Sequence, residues 1–177
     1  MKRVALKWEL VGIIFIVVVG GMLHFAFDWS GQWQPLALIA AVNESVWEHL
    51  KLGFWPALFY SFVEYWYINK STNNFLIAKT TAIYLIPITI TVLFYSYTAI
   101  IEDMLVADIL VFVLAVAVGQ LTSYRILSSR QLPKGSHRFA MVALVCLILI
   151  FALFTFYPPH LPIFKDPITG AYGIPGP

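Results

Sequence analysis

Carboxylates and imidazoles gather where chemistry would need them, in the segments around residues 24–28, 44–49 and 102–108 and in a C-terminal stretch at 160–166. His24 and Asp28 are four residues apart in an apolar run, so on a helix they share a face. Glu44, Glu48 and His49 follow within the block Asn43-Glu-Ser-Val-Trp-Glu-His49. Imidazoles and carboxylates converging from separate helices are what a divalent, zinc-like metal needs, because Zn²⁺ takes nitrogen and oxygen ligands at about 2.0–2.2 Å. An open coordination position would lower the pKa of a bound water and supply a nucleophile at neutral pH. Without a metal, the same groups could act as an acid/base pair, with Glu44, Glu48 and His49 as the catalytic candidates. Asn43, Asp108, Glu64, His160, Asp166 and Tyr172 complete the polar positions with a candidate binding role.

Structural readings stand beside these. His24 and Asp28 could simply bond each other, and Glu44, Glu48 and Lys51 have the i, i+4, i+7 spacing of a salt-bridged helix face. Glu102-Asp103 has the look of a solvated turn, while Asp108, a turn inside an apolar run, must pair or line a wet cavity. Glu64 would pair by default with Lys79 or Arg125, or serve as one station of a proton or cation route. Known catalytic signatures are missing: there is no His-Glu-x-x-His, no Gly-x-Ser-x-Gly and no Walker loop.

The elements that must position these groups are membrane helices. The 177 residues are 60% hydrophobic and only 11% charged, against about 25% charged in soluble domains. Nothing resembles a basic stripe interleaved with aromatics, so nucleic acid is not a partner; the bilayer is. The reading is an all-α integral membrane protein, a five-span helical bundle over 1–157 with spans at about 6–27, 46–68, 75–100, 104–124 and 139–157. The first span is longer than the apolar core of a signal peptide and is read as uncleaved. Residues 35–68 are too long for one span, since about 34 helical residues would reach about 51 Å across a core of about 30 Å. The break falls at Asn43–Ser45, where Ser45 and Glu48 make a capping-box pattern. Residues 35–42 become a short interfacial or re-entrant helix. Pro56 and Pro87 lie inside spans, and Pro56 deprives the Leu52 carbonyl of its helical partner. Cys146, the single cysteine, allows no intrachain disulfide and is expected to pack in the interior. Residues 158–177, rich in Pro and Gly yet dotted with aromatics, form a non-helical extracytoplasmic tail packed on the bundle.

Charge sorting sets the orientation. With the N-terminus in the cytoplasm, Lys2, Arg3, Lys7, Lys70, Lys79, Arg125, Arg130, Lys134 and Arg138 fall inside, nine of the eleven basic residues. The tail is then outside, with most of the acids. This places the protein in the cell membrane as a multi-pass chain.

The run Ala41-Val-Asn-Glu-Ser-Val-Trp-Glu-His-Leu-Lys51, followed by Gly53-Phe-Trp-Pro56 and later by Phe164-Lys-Asp-Pro-Ile-Thr-Gly-Ala-Tyr-Gly173, resembles an uncharacterised family of small prokaryotic polytopic membrane proteins. The resemblance implies a prokaryotic source and directs attention to Asn43, Glu44, Glu48 and His49. It transfers no activity.

Three functions fit the sequence. One is an outward-facing site, metal-dependent or not, that binds or hydrolyses a small or lipid-linked substrate under a lid formed by His160–Tyr172. Another is a small cation or proton-coupled transporter relaying through Asp108 and Glu64. The last is a non-catalytic subunit whose tail docks an extracytoplasmic partner.

Overall fold

A computed structural model describes residues 2–174. They form five long helices: α1 (Lys2–Trp29), α2 (Val46–Ile68), α3 (Phe75–Thr98), α4 (Leu105–Leu127) and α5 (Lys134–Phe156). Successive helices run antiparallel. Ala5, Ile68, Phe75 and Leu127 meet at one end, and Phe27 meets Ala40 and Val42 at the other. The helices α1 to α4 close a ring, α1 on α2, α2 on α3, α3 on α4 and α4 back on α1, while α5 packs outside against α3. The side chain of Phe151 on α5 also stacks on Phe54 of α2 with ring centroids 4.2 Å apart.

Four helices, α1, α3, α4 and α5, are long and apolar enough to cross a membrane. They turn apolar side chains outward, among them Ile14 and Val18 on α1, Leu110 on α4 and Leu149 on α5, each more than half exposed. A surface of this kind is stable against lipid and costly against water. The helix α2, read from the sequence as the second span, is not among the four. It carries Glu48, Lys51 and Glu64, and fifteen of its 23 residues are buried by its neighbours. Its first half, through Leu58, is enclosed, whereas its second half turns Phe62, Tyr65, Trp66 and Tyr67 outward.

Backbone approach between helices depends on small residues. A Cβ added at Gly20 of α1 would lie 2.5 Å from the Leu52 carbonyl oxygen of α2. That carbonyl is the one Pro56 leaves without a helical donor, so the proline and the glycine belong to one contact. A Cβ at Gly119 of α4 would likewise lie 2.7 Å from the Ile86 side chain and 3.1 Å from the Ala82 carbonyl oxygen of α3.

The break at 43–45 has the expected chemistry. Ser45 caps α2, its Oγ accepting from the Glu48 amide at 3.4 Å, and Asn43 Oδ1 accepts from the Ser45 amide at 2.8 Å. The reciprocal leg of the box differs: the Glu48 carboxylate accepts from the Val42 amide instead, at 3.0 Å. The helical part of the preceding segment is shorter than expected, a 3-10 turn over Gln34–Leu38. The last helix begins at Lys134, five residues before the apolar run, because Pro133 provides the N-terminal stop and the polar residues 134–138 continue the first turn. Cys146 is exposed on the outer face of α5, against the expectation of an interior position; the apolar run it belongs to faces outward along most of its length.

The described part of the tail, through residue 174, is held on the bundle by a few anchors. Phe164 is buried, its ring 4.6 Å from Trp47, and Lys165 pairs with Tyr172 in a single antiparallel bridge. Asp166 organises the turn between them, accepting from the Ile168 amide at 3.1 Å and the Thr169 hydroxyl at 2.5 Å. Asn43 Nδ2 fastens the far end by donating to the Gly173 carbonyl at 2.8 Å.

Candidate functional site

At the end of the bundle that holds the tail, three side chains from three segments come together. His24 stands five residues before the end of α1, Glu44 lies in the connection to α2, and His49 is in the first turn of α2. His49 Nε2 is 3.4 Å from one Glu44 oxygen and His24 Nε2 is 3.9 Å from the other. Potential ligand atoms of all three lie within 4.8 Å of one another. The imidazole rings are 5.2 Å apart between centroids. In a tetrahedral shell with bonds near 2 Å, neighbouring ligand atoms stand about 3.3 Å apart, so small side-chain rotations would close the set. The site is partly exposed, with side-chain exposures of 26% at His24, 37% at His49 and 44% at Glu44.

The local backbone prepares His49. Its Nδ1 lies 2.9 Å from the Ser45 carbonyl, which can only accept. That bond puts a proton on Nδ1, so Nε2 is the nitrogen that faces Glu44 and would carry either the proton donated to that carboxylate or, in its place, a metal. Nδ1 of His24 is buried without a partner, so this ring is the less constrained of the two. The hydrogen bond with His49 holds the Glu44 carboxyl below the usual carboxylate range, against the opposing effect of partial burial. At neutral pH Glu44 is an anion, the form that ligates.

These groups stand on the wall of a cavity of about 630 Å³. Its far wall is apolar, with Leu52, Ile90, Phe94 and Phe112, and the tail roofs it through Pro162, Lys165 and Ile168. Gly21, Leu105 and Ile109 on its edge are exposed on the outer surface of α1 and α4, so the cavity communicates with the surroundings of the helices. Asp108 also lines it and bonds to Tyr97, whose hydroxyl is 2.7 Å from Asp103 as well. Neither Tyr97 nor a role for Asp103 was visible in the sequence; only a register linking the end of α3 to the start of α4 brings them together.

Other sequence candidates go elsewhere. Glu48 is buried and directed away from the cluster, paired with Lys51 at 2.6 Å. Lys51 Nζ also donates to the Ala37 carbonyl at 2.7 Å and the Thr155 hydroxyl at 3.4 Å, tying α2 to the 3-10 turn and to α5. The face predicted for Glu44, Glu48 and Lys51 is thus split: Glu44 precedes the helix, and the other two form an interior pair. Asp28 is exposed at the end of α1 and outside the three-residue cluster. His160 packs its ring 4.5 Å from Tyr172 within the tail. Asp166 serves the tail turn; burial pushes its carboxyl up, but the bonds from the Thr169 hydroxyl and the Ile168 and Thr169 amides bring it below the ordinary range. Glu64 is at the opposite end of the bundle, 2.5 Å from Lys79. Between that end and the cavity lies an apolar layer that includes Ile16, Phe54, Ile83, Ile86, Val116 and Phe151.

The fold is therefore an all-helical bundle with helices suited to a bilayer and a His₂Glu cluster on the wall of an apolar cavity. Across residues 1–174 the sequence matches the family of unknown function DUF6512, and the chain belongs to it. No curated protein and no solved structure matches it.

Proposed function

We propose that the protein is a five-span membrane protein that holds a divalent metal on His24, Glu44 and His49 and uses it on a small or lipid-linked substrate seated in the adjoining cavity. The convergence of the three ligand groups from α1, the connecting segment and α2 carries this reading. Two imidazoles and one carboxylate are the ligand set of catalytic rather than structural zinc, which leaves a position open. When bound, such a metal supplies a Lewis acid and a water of lowered pKa. The chain's own residues do the rest: Ser45 fixes the His49 tautomer, Glu44 offers a carboxylate, and the tail shields the cavity.

The span count rests on antiparallel packing. The helix α2 covers the same height as its neighbours, so its charged groups are carried across the bilayer inside the bundle. Eight basic residues outside the interior, Lys2, Arg3, Lys7, Lys70, Arg125, Arg130, Lys134 and Arg138, belong to one end, which this reading places in the cytoplasm. The cavity and tail then face outward. A relay from Asp108 to Glu64 would have to cross the apolar layer at Ile16, Phe54 and Ile86, which weighs against transport.

Metal analysis tests the proposal. Purified protein exposed to Zn²⁺ and then washed should retain about one equivalent by mass spectrometry. His24→Ala and His49→Ala should each lower the affinity at least about tenfold, in line with loss of one ligand, while Asp28→Asn leaves it unchanged. Absence of stoichiometric metal, or undiminished binding by the His24→Ala/His49→Ala double variant, would refute the metal site.

A further inference from the structure

A second polar cluster lies at the other end of the bundle, built from four helices. Lys79 of α3 is 2.6 Å from Glu9 of α1 and 2.5 Å from Glu64 of α2. Ser123 of α4 donates to the same Glu9 oxygen at 2.7 Å. The three charged residues are 0%, 1% and 3% exposed for Glu9, Glu64 and Lys79. One ammonium thus faces two carboxylates, with no water-exposed side to dissipate the excess charge.

The remaining hydrogen-bonding capacity is unfilled. Glu9 Oε2 and Glu64 Oε1 are sealed from solvent and accept no hydrogen bond. Gln120 of α4, 2% exposed, keeps its Nε2 without a partner beside Gly12, one turn along α1 from Glu9. Tyr60, one turn from Glu64 on α2, is committed elsewhere, donating to the Trp8 carbonyl at 2.8 Å. The titratable groups of the cluster are Glu9 from α1, Tyr60 and Glu64 from α2 and Lys79 from α3, and α4 adds only the neutral Ser123 and Gln120. Among the described residues no further charge pairs with either carboxylate.

We infer that Glu9 and Glu64 bind one exchangeable proton between them, making the triad a proton-binding site that is neutral with Lys79 charged. A net negative charge at this depth would be expensive, whereas one proton on either carboxylate neutralises it. The proton adds to one carboxylate oxygen as an O–H bond, and no bond to carbon changes. Its route is short. Glu64, Lys79 and Ser123 each lie four residues from the end of their helix at this face, about 6 Å of helix. This site is independent of the histidine cluster.

Infrared difference spectroscopy of the full chain in lipid nanodiscs tests the inference. The wild type at neutral pH should show the C=O stretch of a protonated carboxylic acid, shifted in D₂O and lost when the pH is raised. Glu9→Gln and Glu64→Gln should each abolish it, because the single remaining carboxylate then pairs with Lys79 as an anion. Lys79→Met, where it folds, should enlarge the band about twofold. No such band in the wild type, or a band that survives both glutamine substitutions, would overturn the assignment. A melting temperature raised by Na⁺ in a protein lacking the band would also overturn it, in favour of a metal-cation site.

Discussion

At the residue scale, neighbouring charges in the sequence have different fates because only some of them are on a helix. Glu48 and Lys51 are three apart within α2, so helical geometry delivers the pair, and near-complete burial of both makes it matter. Glu44 precedes the cap at Ser45, where no helical period governs its direction, and it turns to His24 and His49 instead. Spacing alone identified the block and could not divide it. Removing the ammonium leaves Glu48 buried without its cation. Lys51→Met is therefore expected to lower unfolding stability by about 3–5 kcal/mol, with the Glu48→Gln/Lys51→Met double variant recovering part of the loss. Equilibrium unfolding in mixed detergent would measure both, and a loss below about 1 kcal/mol for the single variant would show that the pair is solvated.

Elements were legible wherever apolar runs ended in polar turns, and least so where polar residues sit within a helix. The ends of α2 and α3 match the sequence reading closely, while α5 starts earlier because Lys134–Arg138 are helical without being apolar. The triad of Glu9, Glu64 and Lys79 was only half visible: each residue stands out in an apolar run, but their meeting depends on the register of three helices. Helix registry also separates two adjacent glycines. Gly20 meets the backbone of α2, whereas a Cβ at Gly21 would touch nothing within 4 Å. Gly20→Ala should therefore destabilise the protein by about 1–3 kcal/mol through overpacking. Gly21→Ala should be neutral or stabilise it by up to about 1 kcal/mol, as expected for Ala over Gly in a helix. Equal effects in a thermal unfolding assay would contradict the close approach of α1 and α2.

For the whole molecule, the distribution of charge is what supports the proposed orientation. The end containing residues 69–74 and 128–133 gathers basic side chains, and the end with the tail gathers acidic ones. Composition made this legible before any coordinate, because basic residues near span ends have a known sidedness. In a Cys146→Ser background, a cysteine replacing Ser30 should react with a membrane-impermeant maleimide added to intact cells. One replacing Ser71 should react only after permeabilisation. The reverse pattern would invert the topology and move the histidine cavity to the cytoplasm.

The interior charges of α2 have a consequence for how the protein is made. A segment bearing Glu48, Lys51 and Glu64 has poor standing as an isolated guest of the bilayer, since each charge at depth taxes insertion. Its partners arrive on both sides of it in time: Gly20 is synthesised before it, but Lys79 and Thr155 come after. On the proposed five-span topology, α2 is expected to settle only once α3 brings the cation for Glu64 and α5 the hydroxyl for Lys51.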